Sequence, residues 1–251
     1  GTYAEGRCPI MTRAFMIEMT VFKHYAWQLL GLGLLVSLCI GFGMGTPLAM
    51  PATLTCMFFM MGAMGLAAYD EMNRWGLFRL TMPLSRRDVV LGRYAAIVAL
   101  GLEGMATGVA GALAVMAVAS TIGLPGDVGE TFAFDGELLV TMAVTTCFTL
   151  LIGSVVAGVV TPIYFRLGQT RATQILPTVI VLLFVVPVVV LGNSGLAGGS
   201  VPLMDLVSQA LQMLETPVGA VTGCAVLVAL SAIALGISAG VSLKLYEKRE
   251  L

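Results

Sequence analysis

The stretch that decides the fold is residues 48–68, which read LAMPATLTCMFFMMGAMGLAA and contain no charged side chain. The hydrocarbon core of a membrane is about 30 Å thick, and a helix of about 20 apolar residues is long enough to cross it. Inside lipid, a helix also satisfies its own backbone hydrogen bonds, which a loop or an open strand cannot do. Residues 48–68 are therefore predicted to form a membrane-spanning helix.

The composition of the whole chain agrees with this interpretation. Hydrophobic residues make up 58% of the 251 positions and charged residues only 11%, with a mean hydropathy of +0.98, whereas soluble domains carry about 25% charged residues. The net charge of -1 provides no field that would attract nucleic acid. We predict an all-α polytopic membrane protein with six transmembrane helices, at about 27–44, 48–68, 94–122, 138–165, 173–191 and 218–243.

The basic residues predict how the chain is oriented in the membrane. All thirteen Lys and Arg residues lie before the first predicted span, after the second or fourth, or after the sixth, while the three opposite loops carry only acidic charges. Basic residues near span ends are retained on the cytoplasmic side. The predicted topology therefore has both ends in the cytoplasm.

Two segments beside the spans have helical patterns of their own. In residues 11–26, apolar side chains recur at helical spacing, which predicts an interfacial helix on the inner leaflet; the alternative is a simple extension of the first span. Residues 201–214 predict an interfacial or re-entrant helix before the last span. Residues 1–10 are interpreted as a vector-derived or flexible N-terminal segment, ahead of a single transmembrane domain over 11–251.

Glycines predict two close approaches of the backbone. Gly104 and Gly108 form a GxxxG pattern in the third span, which allows a neighbouring helix to come near. The Gly-Thr-Pro sequence at 45–47 predicts a reversal of the chain with almost no loop.

Four side chains inside the predicted spans are candidates for a substrate path. Glu103 lies on the order of 15 Å deep, where an ionisable group is costly and by default functional. The alternative is a protonated or hydrogen-bonded structural glutamate, with a group such as Thr107 as its partner. Met57, Met61 and Met64 follow one face of the second span, and flexible thioethers suit a promiscuous apolar path, although packing or lipid contact is the alternative.

One long polar stretch separates the second and third spans. Residues 69–94 read YDEMNRWGLFRLTMPLSRRDVVLGRY. Pro83 is expected to end the preceding helix, and Ser85 can cap the next one, with Asp88 three residues on completing a capping box. The stretch is therefore predicted to form two short helices under the membrane.

This stretch resembles a motif of the bacterial ABC exporter permeases of type 2. In that family, an acidic and basic segment with a tryptophan is followed by Leu-Pro-(Val/Ile)-Ser-Arg and by a short helix that ends in Lys-Tyr or Arg-Tyr and opens the third span. Met82 stands where leucine is common. The matching residues are Asp70, Glu71, Asn73, Trp75, Pro83, Ser85, Arg86, Val90, Arg93 and Tyr94.

The resemblance implies that the loop is a coupling element. Such a loop docks into a groove of a separate cytoplasmic ATP-binding subunit, and two copies of that subunit, which bind ATP and Mg, serve a permease homodimer or heterodimer in the bacterial inner membrane. The alternative is a surface loop whose arginines enforce topology and bind anionic lipid. The residues implied to contact the ATP-binding subunit are Asp70, Glu71, Arg74, Trp75, Phe78, Arg79, Pro83, Ser85, Arg86 and Arg87.

Several enzyme classes do not fit the sequence. A Walker A motif needs Gly-Lys-Ser/Thr, and the three lysines follow phenylalanine, leucine and glutamate. His24 is the sole histidine, which argues against a Ser-His protease and a histidine-rich metal site. The five cysteines lack CxxC spacing. We therefore expect no catalytic residue, cofactor or metal in this chain.

The predicted function is the permease subunit of an ATP-driven exporter. It is expected to move amphipathic peptides or hydrophobic small molecules out of the cytoplasm or the inner leaflet by alternating access. The alternatives are a secondary transporter, disfavoured by the single deep carboxylate and the lack of an obvious inverted repeat, and an immunity-type membrane protein. Neither alternative would have an ATPase partner.

Overall fold

Five long helices make up most of the described structure. The computed structural model describes residues 7–72, 85–122, 132, 134–167 and 216–247, with eight isolated helical positions between 172 and 189. No strand occurs in these residues, so the all-α prediction is confirmed for the part of the chain described. The helices are α1 (Arg7–Met44), α2 (Ala49–Met72), α3 (Arg86–Ile122), α4 (Gly136–Leu167) and α5 (Pro217–Glu247).

Each of these helices contains a segment that is long and apolar enough to cross a membrane, with a mean hydropathy between 1.5 and 2.3. Five of the six predicted spans are thereby confirmed as helices of spanning length. The predicted span at 173–191 lies largely, and the predicted helix at 201–214 wholly, outside the described residues. The spanning segments are Ala26–Met44, Ala49–Ala68, Arg87–Thr121, Gly136–Leu167 and Val218–Leu245.

α1 and α2 form a hairpin with a very short turn. The Thr46 amide donates to the carbonyl oxygen five residues earlier (3.0 Å), and the Gly45 amide donates to the one three residues earlier (3.3 Å), which is the Schellman pattern. Gly45 has a φ of 63°, where a Cβ is disfavoured. Thr46 Oγ1 then accepts from the Leu48 amide (3.3 Å), and Pro47 lies where its missing N–H is not needed. The predicted abrupt reversal is confirmed.

α1 is one helix of 38 residues, about 57 Å long at 1.5 Å per residue. Its segment of spanning length and hydropathy begins only at Ala26, so the helix starts well before the apolar segment. No glycine or proline occurs between Met11 and Leu30, and nothing in the local sequence interrupts the helix. The amphipathic stretch 11–26 is therefore an extension of the first span, and no separate interfacial helix is seen between residues 7 and 44.

α2 and α3 pack closely where α3 carries glycine. A Cβ added at Gly108 would lie 2.6 Å from the Pro51 Cα, and one added at Gly104 would lie 2.9 Å from the Leu54 carbonyl oxygen. Optimal separations between carbon atoms are about 3.5–4.0 Å. The predicted GxxxG approach is confirmed, and the helix that comes near is α2.

Phe59 of α2 lies between glycines on two other helices. Its ring packs so tightly on Gly101 of α3 that a Cβ there would overlap it, and a Cβ at Gly153 of α4 would lie 3.0 Å from the Phe59 Cβ. The side chain is only 1% exposed and belongs to an apolar cluster that contains residues of α1 to α4. Phe59 therefore joins α2, α3 and α4 at one point.

α4 and α5 run parallel. The side chains of Cys147 and Cys224 are neighbours. Further along both helices, the Gly158 carbonyl accepts a hydrogen bond from the Ser238 hydroxyl. Two contacts in the same order along both helices require a parallel arrangement.

The bundle has two distinguishable ends. We call the end where α2 finishes and α3 begins the loop end, and the opposite end, with the Gly45 turn, the turn end. Ser238 of α5 bonds to Tyr94, the ninth residue of α3, so the last turns of α4 and α5 lie near the loop end. The basic residues described in the terminal turns of these helices, Arg87, Arg166 and Lys244, therefore share that end.

Candidate functional site

The start of α3 holds the predicted capping box. Ser85 Oγ accepts from the Asp88 amide (3.2 Å), while Asp88 Oδ2 accepts from the Ser85 amide (3.3 Å) and from the Ser85 hydroxyl (2.5 Å). These bonds pair amides that a helix start otherwise leaves unsatisfied. Asp88 also places a negative charge in the first turn, where the helix dipole favours it. The capping prediction is confirmed.

Removing the cap is expected to loosen the first turn of α3. In Ser85→Ala, the Asp88 amide loses its acceptor, and we expect about fivefold faster hydrogen exchange for the first-turn amides, as for a cap contribution of about 1 kcal/mol. The matched control is Ser120→Ala, because Ser120 lies in the last turn of the same helix and bonds only to its own backbone. Equal exchange in both variants would contradict a stabilising role for the cap.

The helix that begins after Ser85 is the third span itself. α3 continues without a break from Arg86 to Ile122, so the short helix predicted at the end of the loop and the third span form one rod. Tyr94 lies nine residues from Ser85, about 14 Å along the axis. A displacement of the capped end therefore moves Tyr94 with it.

A chain of hydroxyls extends from Tyr94, the residue that closes the motif. Arg93 and Tyr94 are buried, at 4% and 6% exposure. The Tyr94 hydroxyl lies 2.5 Å from Ser238 Oγ and 2.8 Å from Ser242 Oγ, both on α5. The Ser238 hydroxyl in turn donates to the main-chain carbonyl of Gly158 on α4. We call these three hydroxyls and this carbonyl the Tyr94 joint.

The number of hydroxyl hydrogens determines which group donates in each hydrogen bond of the joint. Each hydroxyl has one hydrogen to donate. Since Ser238 gives its hydrogen to Gly158, the hydrogen between Tyr94 and Ser238 comes from Tyr94, and the one between Ser242 and Tyr94 comes from Ser242. One line of donors therefore connects α3, α4 and α5. All three side chains are buried, where a hydrogen bond is electrostatically stronger than in water.

The sequence predictions include Tyr94 only as a motif residue and do not contain the joint. The spacing of Ser238 and Ser242 was a usable signal, because it puts two hydroxyls on one face of a mostly apolar helix. Their partner is 144 and 148 residues away. No local pattern reaches that far.

The structure describes the two ends of the predicted coupling element and not its middle. Asp70 and Glu71 belong to the last turn of α2, and Arg86 to the first turn of α3, but their side chains lie outside the described residues. Ser85 and Arg87 are exposed at the loop end. The predicted coupling residues that fall wholly outside the described part of the chain are Arg74, Trp75, Phe78, Arg79 and Pro83.

The candidate path residues have different surroundings. Met57 and Met64 are half-buried and pack against two different apolar clusters, in agreement with the packing alternative, whereas Met61 is 38% exposed. Glu103 is partly exposed within the spanning segment of α3. Thr107 donates its hydroxyl to the main-chain carbonyl of Glu103 (2.7 Å), so this hydroxyl serves the helix and not the carboxylate.

The described residues do not assemble a metal site. No three His, Cys, Asp or Glu side chains among them lie close enough together to hold an ion. Cys147 and Cys224 are neighbours, but two thiols are fewer than the four ligands of a structural zinc site. The cysteines described as free thiols are Cys39, Cys56, Cys147 and Cys224.

A protein-family model matches most of the chain. The model is described as "ABC-2 family transporter protein", and it matches residues 15–247. This range includes all five spanning segments, the capping box and the Tyr94 joint. No curated protein matches the chain. The family description names a class of transporter and no substrate.

Proposed function

Because the chain belongs to the ABC-2 family of transporter proteins and is thus a permease subunit of an ABC transporter, we propose that it exports amphipathic peptides or hydrophobic small molecules. The observation that carries the proposal is the family match over residues 15–247, which contains five helices of membrane-crossing length. ATP is bound and hydrolysed with Mg by two copies of a separate cytoplasmic subunit. The permease itself works as a homodimer or with a closely related chain.

The loop end is the proposed docking surface for the ATP-binding subunit. The polar stretch at 69–94 leaves α2 and enters α3 at this end, and the capping box fixes where α3 starts. Arg87 is exposed beside the cap. Trp75 and Phe78 supply the aromatic anchors that such interfaces favour, and the arginines of the loop supply polar contacts.

A sixth crossing between α4 and α5 is part of the proposal. α4 finishes near the loop end and the parallel α5 starts toward the turn end, so the chain between Leu167 and Pro217 has to return along the bundle. The apolar run at 173–191 is long enough for this return, and the eight described positions between 172 and 189 are helical. An even number of crossings puts both termini on the side with the basic residues, which is the cytoplasmic side of a bacterial inner membrane.

Glu103 supports the amphipathic character of the substrate. It lies 16 residues from one end and 18 from the other of the spanning segment Arg87–Thr121, near the middle of the membrane. Its neighbours Leu102 and Ala106 are exposed, so the carboxylate borders an open face of α3. An ionisable group at this depth is expected to face a cavity or a pathway, and it favours substrates that carry a cationic group beside an apolar surface.

The transport mechanism proposed is alternating access. ATP-driven closure of the two ATP-binding subunits displaces the loop end, and the helices reorient so that the path opens to the other side. The spans assigned to the dimer interface by the family resemblance are the first, second and fifth.

Copurification tests the proposal. The tagged permease, expressed in its native host and extracted in mild detergent, is expected to bring down an ATP-binding-cassette subunit. In the double variant Trp75→Ala with Arg86→Glu, we expect recovery of that subunit to fall about tenfold, because loss of one aromatic anchor and reversal of one charge remove more than about 1.4 kcal/mol of binding.

A matched control is Arg166→Glu, which reverses the charge of an exposed arginine in the last turn of α4, near the same end of the bundle. It is expected to retain the ATP-binding subunit. If no ATPase accompanies the unmodified protein, even after crosslinking in native membranes, the exporter proposal fails, and a secondary transporter or an immunity-type protein takes its place. Equal loss in both variants would mean that the loop is not the docking surface.

A further inference from the structure

Most hydroxyl groups in the spans bond only to their own helix. Thr55, Thr146 and Ser231 each donate to the carbonyl oxygen four residues earlier. Such bonds satisfy a polar group in an apolar environment without connecting one helix to another. These hydroxyls therefore place little restriction on movement between helices.

The Tyr94 joint differs because its hydroxyls connect three helices. Tyr94 of α3 bonds to two serines of α5, and Ser238 passes the chain on to the Gly158 carbonyl of α4. α3 makes much less contact with α4 and α5 than α2 makes with α3, or α4 with α5. The joint is thus a specific polar attachment at a place where apolar packing between α3 and the α4–α5 pair is sparse.

The joint lies on α3 between the loop end and the contact of α3 with Phe59. Phe59 holds α2, α3 and α4 together at Gly101 and Gly153, and Gly101 lies seven residues beyond Tyr94 on α3, about 10 Å. A displacement of the loop end therefore acts on the part of α3 that lies between the loop end and Phe59. The joint lies on the part of α3 between the loop end and Phe59, and this part moves in the same direction as the loop end when α3 tilts about Phe59.

We propose that the Tyr94 joint transmits the movement of α3 to the α4–α5 pair, so that α4 and α5 follow the coupling loop when the ATP-binding subunits close. The inference rests on the proposed function, since the movement it transmits starts at those subunits. Tyr94, Ser238 and Ser242 are positioning residues that act through the helices and touch no substrate. This role belongs to the three hydroxyl groups, because their hydrogen bonds are directional. The ring of Tyr94 by itself would supply only non-directional packing.

Hydrogen exchange on the complete transporter in lipid nanodiscs tests the inference. The ATP-binding subunits are trapped with ATP and vanadate, and the change in exchange is measured at the start of α3 (residues 86–95) and at the end of α5 (residues 236–247). In the unmodified protein, both regions are expected to respond. In Tyr94→Phe, we expect the response of α3 to remain and that of α5 to fall about threefold, the effect of losing an interhelical hydrogen bond in a membrane.

Ser231→Ala is the matched control, because Ser231 is a buried serine of the same helix whose hydroxyl bonds within α5; it is expected to respond like the unmodified protein. If Tyr94→Phe does not fold, Ser242→Ala removes one link and leaves the tyrosine in place, and a reduced α5 response is again expected. An undiminished α5 response in the variant that folds overturns the inference while the proposed function stands. Absence of any response at α3 in the unmodified protein overturns both.

Discussion

Phe59→Ala is expected to lower the free energy of unfolding by about 3 kcal/mol. The phenylalanine ring fills the space between Gly101 and Gly153, and neither glycine has a side chain that could move into the cavity. In lipid the unfolded state also surrounds the ring with apolar groups, so the loss comes from packing and lies at the lower end of the usual range for Phe→Ala. The measurement is unfolding by SDS in mixed micelles, followed by circular dichroism.

The control for this substitution is Phe148→Ala on α4. Phe148 is 53% exposed, and in the membrane lipid chains can replace the contacts of its ring. We expect a change of less than about 0.5 kcal/mol, as for other positions away from the packed interior. Similar destabilisation by both substitutions would mean that Phe59 has no special role in joining α2, α3 and α4.

Gly108→Ala is expected to destabilise the pairing of α2 and α3 by about 2 kcal/mol. The added Cβ would lie 2.6 Å from the Cα of Pro51, and a main-chain atom in a helix cannot turn aside as the end of a side chain can. The helices must therefore separate along the whole contact, which also weakens the packing at Gly104. Thermal unfolding in detergent, with the SDS titration as a second measurement, reports the loss.

Gly111→Ala provides the comparison three residues further along. A Cβ there would lie 3.4 Å from the Leu34 Cδ2 and 3.8 Å from the Met50 Cε, which are ordinary contacts with side-chain atoms. Because alanine is the better helix former by about 1 kcal/mol, this variant is expected to be at least as stable as the unmodified protein. If Gly111→Ala and Gly108→Ala lost the same stability, close approach to Pro51 would not be the cause.

Features with a local physical cause were predictable from the sequence. The apolar runs correspond to the five described spans because a helix is the structure in which one segment satisfies all its own backbone hydrogen bonds in lipid. The capping box at Ser85 and Asp88 and the turn at Gly45 depend on residues within a few positions of each other, and both predictions are confirmed. The pattern at Gly104 and Gly108 also indicated close approach, although it could not tell that α2 is the helix that comes near.

Features that depend on contacts between distant residues were not predictable in the same way. The hydroxyl partners of Tyr94 are on α5, and the cradle of Phe59 combines glycines from two other helices. The separate interfacial helix expected at 11–26 required a break before the first span. Periodicity alone does not show whether such a break exists, and α1 is continuous from Arg7 to Met44. Apolar spans contain few polar residues, and the hydrogen-bond partners of each one depend on which helices pack together.

The long separation within the Tyr94 joint has a consequence for how the protein is made. Tyr94 and Ser242 are 148 residues apart in the chain, and at about 5–20 residues per second the tyrosine emerges from the ribosome many seconds before its partner. During that interval α1, α2 and α3 can assemble around their glycines, while the tyrosine hydroxyl still lacks its two serine partners on α5. α5, which is synthesised after α3 and α4, therefore completes the attachment between them, and a chain that stops before Ser238 lacks the hydroxyl that bonds to both Tyr94 and Gly158.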